Sequence, residues 1–367
     1  MSPSPFSRIL LAWYDENKRD LPWRRTRDPY RVWLSEVILQ QTRIGQGTPY
    51  YERFVARYPD VAGLAGASEE EVLKLWQGLG YYSRARNMHQ AARVVVERFG
   101  GIFPGTWEEL RKLKGVGDYT AAAIASICFG ESQPVVDGNV VRFFARLFGI
   151  VDPPDKPATR QKIRSLALER IDRDHPGDFN QAIMEYGAMV CTPASPGCGS
   201  CIFRDDCRAF RENRVAEIPV RTPKAAIPDR FIHYAVITVR HQGSDHIYLN
   251  KRTGNDIWKN LYDFPSVEKN TSRNGKPLTR SAFNGLFNGS APEFDEVSEE
   301  FIHVLSHRRI HARFYRFRLP AKPELPFLFV PLKDIHQYPV PRLLEKYILK
   351  RFPATTGRNT GKGMVNG

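Results

Sequence analysis

Four cysteines of this 367-residue chain fall inside one short stretch near its middle. Cys191, Cys198, Cys201 and Cys207 are separated by six, two and five residues, and the only other cysteine is Cys128. Thiolates spaced this closely are typical ligands of one metal centre, either Zn²⁺ or an iron–sulfur cluster. Spacing alone leaves these two open. A pair of disulfides is a less favoured alternative, because the sequence carries no sign of export.

Two carboxylates could carry out acid and charge-stabilising chemistry. Glu36 follows Val32 and Trp33 by one turn of a predicted helix. Such apolar surroundings would raise the pKa of its carboxyl and suit a general acid near neutral pH, although a solvated Glu36 is equally compatible with the sequence. Asp137 lies in a Pro- and Gly-framed loop over residues 134–140, just ahead of a predicted helix. Taken alone, this position favours a helix N-cap.

A short glycine-containing turn predicts a second kind of contact. Gly115 and Gly117 stand in residues 113–120, before an apolar helical run over 121–127. The pattern is typical of a helix–hairpin–helix, whose backbone N–H groups can bind a phosphate. A lone Gly-x-Gly pair could equally just join two helices.

The elements that must position these residues change character along the chain. Apolar residues return every three or four positions from Phe6 to Arg214, which predicts an all-α region. A proline-rich linker over 218–230 follows. Beyond it the patterns predict strands over 231–239, 247–251 and 310–319 and a closing helix over 343–352, hence an α+β module.

Charge is concentrated in the second part of the chain. Residues 1–218 contain 30 Lys and Arg against 27 Asp and Glu, whereas residues 219–367 contain 24 against 13. This surplus favours a polyanionic partner, with a merely soluble basic surface as the alternative. No apolar run approaches the roughly 20 residues of a membrane span, so we expect a cytoplasmic protein without membrane contact.

These features occur together in one known family. Residues 21–42, the hairpin, the Asp137 loop and the four cysteines resemble the helix–hairpin–helix DNA glycosylases that carry a [4Fe–4S] cluster. Within them the chain is similar to the MutY adenine glycosylases, strongly over residues 6–215 and weakly beyond. The resemblance implies that the four cysteines bind a [4Fe–4S] cluster rather than zinc.

The resemblance also implies a multidomain organisation. An all-α helix–hairpin–helix glycosylase domain would span residues 1–217. Its six-helix subdomain would cover about 21–125, and its iron–sulfur subdomain would combine the N-terminal helix with about 126–217. After the 218–230 linker, a Nudix- or MutT-like α+β domain over 231–353 would recognise the lesion, and residues 354–367 would form a disordered tail.

The activity implied is base-excision repair of double-stranded DNA. The enzyme would remove adenine mispaired with 8-oxoguanine, or with guanine, by hydrolysing the N-glycosidic bond, as a monomer associated with a bacterial nucleoid. The related endonuclease III has a lysine two residues after the second hairpin glycine, where it attacks the sugar. Tyr119 occupies that position here, which predicts a monofunctional enzyme without strand cleavage.

Site roles follow from the same resemblance. Glu36 would protonate adenine N7, Asp137 would stabilise the sugar cation, and Asn139 and Tyr119 would orient Asp137 and the attacking water. Leu305 replaces a more usual Phe beside the lesion-reading pair. The residues expected to contact the DNA or the flipped base are Trp23, Arg24, Gln41, Thr42, Leu79, Tyr81, Gly115, Gly117, Gln181, Ser306 and His307.

Two other functions remain as alternatives at this stage. The first is an endonuclease III-like glycosylase and lyase, against which Tyr119 and the long C-terminal module both argue. The second is a non-catalytic iron–sulfur protein that only binds lesions. Glu36 and Asp137 argue against it, because binding requires neither carboxylate.

Overall fold

The structure is a computed structural model that describes residues 4–220, 222, 226–269 and 277–353. The predicted tail over 354–367 and parts of the predicted linker over 218–230 lie outside the described residues. The chain forms two compact units. Unit 1 comprises Met1–Ala67 with Arg84–Lys224, and unit 2 comprises Ser68–Ser83 with Ala225–Gly367. No helix in the described part of the chain is long and apolar enough to cross a membrane.

The described residues up to Val220 contain helices and loops and no strand, as predicted. Short 3₁₀ helices also occur at Pro22–Arg24 and Cys198–Ser200. The α-helices are α1 Pro5–Asn17, α2 Pro29–Leu39, α3 Ile44–Arg57, α4 Val61–Gly66, α5 Glu69–Trp76, α6 Ser83–Phe99, α7 Trp107–Leu110, α8 Asp118–Phe129, α9 Gly138–Phe148, α10 Pro157–Leu168, α11 Pro176–Met189 and α12 Arg208–Arg211.

Helix α8 forms the centre of unit 1. Every residue from Thr120 to Ile127 is buried, because small alanines let neighbouring helices approach from several sides. Helix α8 packs against α2, α7 and α11, and α11 also packs against α1 and α9. The helix that bears Glu36 and the helix that begins after Asp137 are therefore held by one shared core.

Unit 2 contains a mixed sheet, so the predicted α+β module is confirmed. Its strands β1 and β7 are parallel to each other and all other strand pairs are antiparallel. The strands are β1 Asp229–His241, β2 Ser244–Lys251, β3 Tyr262–Asp263, β4 Ser266–Glu268, β5 Glu293–Val297, β6 Phe301–Val304, β7 Arg309–Leu319 and β8 Leu328–Pro331, followed by helix α13 Arg342–Arg351.

Strand β7 is covered on both faces, because its side chains alternate between them. On one face Phe314 stacks on Tyr347 of α13, with ring centroids 3.8 Å apart and an interplanar angle of 11°. On the other face Tyr315 and Phe317 pack against Phe283 of the 3₁₀ helix Arg280–Leu286. The sheet therefore forms the middle layer of unit 2.

Candidate active site and metal centre

Glu36 lies on α2 among buried side chains, with Ser35 and Val37 on either side of it. Loss of hydration on burial is the main cause that raises the pKa of its carboxyl to about 7, and the charge of Asp137 contributes to this increase. A hydrogen bond with Tyr119 and the positive charge of Arg24 act in the opposite direction. Glu36 is therefore half protonated near neutral pH, as a general acid requires.

Asp137 is the N-cap of α9 and also belongs to the same electrostatic cluster as Glu36. Its Oδ1 accepts a hydrogen bond from the Val140 backbone N–H at 2.7 Å, and its Oδ2 accepts one from Asn139 Nδ2 at 2.8 Å. Burial raises the pKa of this carboxyl, while these two hydrogen bonds lower it. The capping interpretation and the functional interpretation are therefore compatible, because the cap fixes the carboxylate in place.

Tyr119 is the third member of this cluster. Burial, together with the charges of Glu36 and Asp137, raises the pKa of its phenol well above the usual value. The hydroxyl also lies 3.3 Å from Met184 Sδ of α11. Tyr119 therefore stays protonated and can donate a hydrogen bond beside Glu36.

A half-buried arginine, Arg142, connects the residues beside Asp137 to the cysteine-containing loop. Arg142 donates to Asn139 Oδ1 at 2.9 Å, to the Gly187 carbonyl at 2.6 Å and to the Cys191 carbonyl at 2.7 Å. Helix α11 approaches α9 closely here because residue 187 is a glycine. A Cβ on Gly187 would lie 2.9 Å from Asn139 of α9. The orientation of Asn139 thus depends on both α11 and the loop that follows it.

Arg24, one of the residues predicted to contact the base, belongs to a salt bridge with Glu185. Arg24 and Arg19 both donate to Glu185, whose side chain is 1% exposed. Burial alone would raise the pKa of Glu185, but hydrogen bonds from Arg19 and Arg24 lower it to about 2. Trp23 is buried, and its ring packs edge-on to Tyr51 with centroids 5.3 Å apart.

Gln181 and Arg24 line one cavity of about 600 Å³ in unit 1, together with the residues of α8 from Ser126 to Phe129. The Gln181 side-chain carbonyl accepts a hydrogen bond from the Tyr14 hydroxyl at 2.7 Å. The cavity is lined mainly by polar atoms. It offers a hydrogen-bonding space of the size that small ligand sites usually have.

Two of the predicted DNA contacts share an unusual backbone conformation. Gln41 and Tyr81 have φ angles of 56° and 48°, in the left-handed region that non-glycine residues seldom adopt. Both side chains are exposed, Tyr81 by 43%. Such strained positions occur preferentially at functional sites. Leu79, by contrast, is only 7% exposed.

Arg84 fixes the turn that contains Gln41. It donates to the carbonyls of Val37 and Ile38 at the end of α2, at 3.0 and 2.9 Å, and lies 3.4 Å from Thr42 Oγ1. These carbonyls are among the unsatisfied acceptors of a helix C-terminus. Arg84 therefore determines where α2 ends and how residues 40–42 leave it.

The hairpin glycines lie between α7 and α8. Gly115 has a φ of 79°, and a Cβ there would lie 2.8 Å from Asn87, so both backbone and packing require glycine. Gly117 is the N-cap of α8 and has no side chain to cap it. The first N–H groups of α8 thus remain available to an anion such as a phosphate.

Ser306 and His307 occupy the tip of a hairpin in unit 2. The turn from Leu305 to Arg308 connects β6 to β7 and is closed by a hydrogen bond from the Leu305 N–H to the Arg308 carbonyl, 2.8 Å long. Both side chains are exposed, with Ser306 Oγ 3.3 Å from His307 Nδ1. The pair is therefore presented to solvent as hydrogen-bonding groups.

All five cysteines are free thiols, so none forms the disulfides considered from the sequence. Cys191, Cys198, Cys201 and Cys207 line a single cavity with about 390 Å³ of empty space, including its opening to solvent. Cys128 is not among its lining residues. In the described ranges, no three His, Cys, Asp or Glu side chains converge as ligands of one ion.

The cavity of the four cysteines is supplied with hydrogen-bond donors. Arg146, which is 4% exposed, lies 3.4 Å from Cys191 Sγ, and the Tyr186 hydroxyl donates to Cys201 Sγ at 3.1 Å. Donors aimed at sulfur stabilise thiolate ligands and are typical surroundings of iron–sulfur clusters. The donor set and its surroundings therefore fit a four-thiolate cluster.

Several of these supporting residues were not predicted from the sequence, namely Arg19, Arg84, Arg142, Arg146 and Glu185. The sequence contains a weak signal for two of them, because Arg142 and Arg146 stand one turn apart on α9, which is apolar from Val140 onward apart from these two arginines. A charged side chain on such a face requires buried partners.

Comparisons with known proteins show first which class of protein the chain resembles. Residues 34–168 match the family model described as "HhH-GPD superfamily base excision DNA repair protein", and residues 235–350 match a model described as "NUDIX domain". A solved thermostable thymine-DNA glycosylase is 30% identical, with a TM-score of 0.53 over 56% of this chain and 95% of that one.

Two similar curated proteins, both adenine DNA glycosylases, narrow this class further. The adenine DNA glycosylase of Buchnera aphidicola (Schizaphis graminum) is 31% identical over 94% of this chain and 97% of its own length. That of Rattus norvegicus is 37% identical over 88% of this chain and 72% of its own length. The chain belongs to the adenine DNA glycosylase family and is a base-excision repair enzyme.

Proposed function

We propose that this glycosylase acts on adenine paired with 8-oxoguanine, or with guanine, in double-stranded DNA, and that it releases the base without cutting the strand. The observation that carries the proposal is the Glu36–Asp137 pair. Burial and, to a smaller extent, the charge of Asp137 raise the pKa of Glu36, which reaches about 7. Two carboxyls with different environments are the usual arrangement for acid-assisted glycosidic cleavage.

The roles of the two carboxyls follow from their surroundings. Protonated Glu36 would donate its proton to adenine N7, so that the base leaves as a neutral molecule. Asp137, whose carboxylate accepts hydrogen bonds from the Val140 N–H and the Asn139 amide, would in its ionised form stabilise the positive charge that develops on the sugar. Water would then attack the sugar carbon. The base must first leave the duplex stack to reach the pair.

Tyr119 supports release of the base without strand cleavage. Strand cleavage by a lyase needs an amine that forms a Schiff base with the sugar. The protonated phenol of Tyr119 stands beside Glu36 and cannot form one. Its hydrogen bond instead helps to hold the Glu36 carboxyl in place.

Single-turnover reactions on a duplex with one adenine opposite 8-oxoguanine test this proposal. We expect free adenine, and strand breaks only after alkali treatment. Glu36→Gln and Asp137→Asn should each lower the rate by at least about 100-fold, the usual contribution of such groups, while duplex binding stays intact. Wild-type rates in either variant, or breaks without alkali, would contradict the assignment.

Ser306 and His307 would read the base opposite adenine, because they are exposed hydrogen-bonding groups at a hairpin tip. The variant Ser306→Ala/His307→Ala should reduce the preference for 8-oxoguanine over guanine by about tenfold, as expected for the loss of one or two hydrogen bonds. Ser244→Ala/His246→Ala, on strand β2 of the same unit, is the matched control. Equal preference in both double variants would exclude this role.

The four cysteines would hold a [4Fe–4S] cluster. When bound, the cluster supplies a rigid cross-link for residues 191–207 and takes no part in base release. The loop would in turn fix Arg142, which contacts the Cys191 carbonyl and Asn139. Cys198→Ser should lose iron and inorganic sulfide, whereas Cys128→Ser, outside the cavity, should keep both. If the purified wild-type protein contained stoichiometric zinc in place of iron and sulfide, an iron–sulfur cluster would be contradicted.

A further inference from the structure

Residues Ser68–Ser83, here called the Tyr81 segment, belong to unit 2 although they lie inside the glycosylase family match. At its start, Glu70 Oε2 accepts hydrogen bonds from the Tyr262 hydroxyl at 2.8 Å and from Lys251 Nζ at 3.3 Å. Glu69 accepts another from Asn260 Nδ2 at 2.5 Å. The beginning of α5 is thus tied to the end of β2, the start of β3 and the loop between them.

The end of α5 is tied to a second region of unit 2, residues 338–345. Gln77 uses both ends of its amide: Oε1 accepts from the Val340 N–H at 3.1 Å, and Nε2 donates to Glu345 Oε1 at 2.8 Å. Lys74 Nζ donates to the Tyr338 carbonyl at 3.2 Å. A side-chain amide bound at both ends leaves Gln77 little freedom to rotate.

Tyr82 joins the turn that follows α5 to the same region. Its side chain is 3% exposed, and its hydroxyl donates to the Val340 carbonyl at 3.1 Å. The same hydroxyl accepts from the Gly78 N–H at 3.5 Å, and Trp76 Nε1 donates to the Gly80 carbonyl at 3.0 Å. The turn is therefore fixed on both sides of Tyr81.

Tyr81 itself has a φ of 48°, and its side chain is 43% exposed. A left-handed conformation costs a tyrosine about 1 kcal/mol or more, and it persists only where the surroundings enforce it. Gln77 and Tyr82, which stand on either side of Tyr81 in the chain, both hydrogen-bond to residues 338–345.

We infer that Gln77 and Tyr82 are positioning residues that hold Tyr81 ready to insert into the duplex, and that the C-terminal part of the chain supplies their partners. The inference rests on the proposed function, in which Tyr81 contacts DNA. A ring that is already oriented loses less conformational entropy on binding, so binding is tighter. Unit 2 would then probe the duplex with two elements, the Ser306–His307 hairpin and the Tyr81 turn.

Fluorescence of 2-aminopurine placed next to the mismatch tests this inference in the full-length protein. An inserted ring unstacks the neighbouring base and raises its fluorescence. Tyr82→Phe and Gln77→Ala should each reduce this rise and weaken duplex binding about fivefold to tenfold, the effect expected from losing one or two hydrogen bonds. Tyr81→Ala sets the reference for complete loss.

The control is Tyr248→Phe, which also removes a hydroxyl that donates to a backbone carbonyl in unit 2, that of Pro323 at 2.7 Å. This variant should match the wild type in both the fluorescence rise and the affinity for the duplex. Adding Tyr82→Phe to Tyr81→Ala should cause no further loss, because a positioning residue acts only through the ring it positions.

The results for these variants distinguish the positioning roles of Gln77 and Tyr82 from the insertion role of Tyr81. If Tyr81→Ala abolishes the fluorescence rise but Tyr82→Phe and Gln77→Ala behave like the wild type, the positioning inference is wrong and the role of Tyr81 stands. Full additivity in the double variant would also overturn it. If Tyr81→Ala itself changes nothing, the insertion role of Tyr81 fails, and the inference fails with it.

Discussion

At the scale of single residues, Glu36 shows how function and stability compete. Its surroundings on α2 exclude water and so raise the pKa of its carboxyl from 4.5 to about 7. The protonated acid exists near neutral pH only because the charged form is destabilised in the folded protein. Ionising Glu36 therefore costs the folded protein stability.

The rate of base release should follow the protonation of Glu36. Below pH 7 the acid form dominates and the single-turnover rate should be nearly constant until Asp137 begins to be protonated. Above pH 7 the rate should fall about tenfold per pH unit, because the protonated fraction falls by that factor. Single-turnover rates from pH 5 to 9 measure this, and a rate that keeps rising above pH 8 would exclude Glu36 as the acid.

The raised pKa of Glu36 also predicts how the stability of the folded protein depends on pH. A folded-state pKa above the unfolded value favours folding at low pH, and this advantage is lost as pH rises through about 7. Glu36→Gln, which cannot ionise, should therefore be more stable than the wild type by an amount that grows between pH 4.5 and 7 and then stays constant, at about 3 kcal/mol. Urea denaturation at pH 5, 6 and 8 tests it. Equal stability at pH 8 would contradict the burial argument.

At the scale of elements, the approach of α11 to α9 determines how Asp137 is oriented. Gly187 is the residue that permits it, since a Cβ there would lie 2.9 Å from both the side chain and the backbone carbonyl oxygen of Asn139. Gly187→Ala should displace Asn139 and lower the rate of base release at least about tenfold. Gly45→Ala, in α3, is the control because a Cβ there meets nothing within 4 Å. Unchanged rates in Gly187→Ala would show that this contact is not needed.

The sequence predicted long elements better than short ones. Periodicity correctly indicated the helices of unit 1, strands β1, β2 and β7, and helix α13. It gave no signal for β3, β4, β5, β6 or β8, which contain two to five residues and are too short for a clear alternation. It also could not place Ser68–Ser83 in unit 2, because that depends on pairs such as Lys74 and Tyr338, 264 residues apart.

The same limit applies to the candidate site. Glu36 and Asp137 could be identified from their local surroundings and from the family resemblance. Arg142 and Arg146 could not, because their importance lies in carbonyls and thiols that the loop after α11 brings to them. Sequence patterns report what is near along the chain, whereas these contacts join residues about 45 to 49 positions apart.

At the scale of the whole molecule, the excess positive charge of residues 219–367 is partly neutralised within unit 2. On β7, Arg313 pairs with Glu300, and Arg316 pairs with Asp295 and Glu296. Arginines that already contact carboxylates release few DNA counterions on binding. The basic strand therefore contributes less to DNA binding than its composition suggests.

Salt dependence of duplex binding tests this distribution of charge. Arg316→Gln should leave the slope of log Kd against log salt nearly unchanged. Lys114→Gln, at an exposed position of the hairpin, should lower the slope by about one, as expected for the loss of one phosphate contact. The reverse result would place the DNA backbone on β7 rather than on the hairpin.

The placement of Ser68–Ser83 in unit 2 also has a consequence for protein synthesis. A ribosome adds about 5 to 20 residues per second, so on the order of 10 to 50 seconds separate the emergence of Lys74 from that of Tyr338, 264 residues later. During that interval Gln77 and Tyr82 are outside the ribosome without the residues that they bind in the finished protein. The nascent chain therefore carries an incomplete patch at residues 68–83 until residues 338–345 have emerged, and this is where a chaperone would be expected to bind.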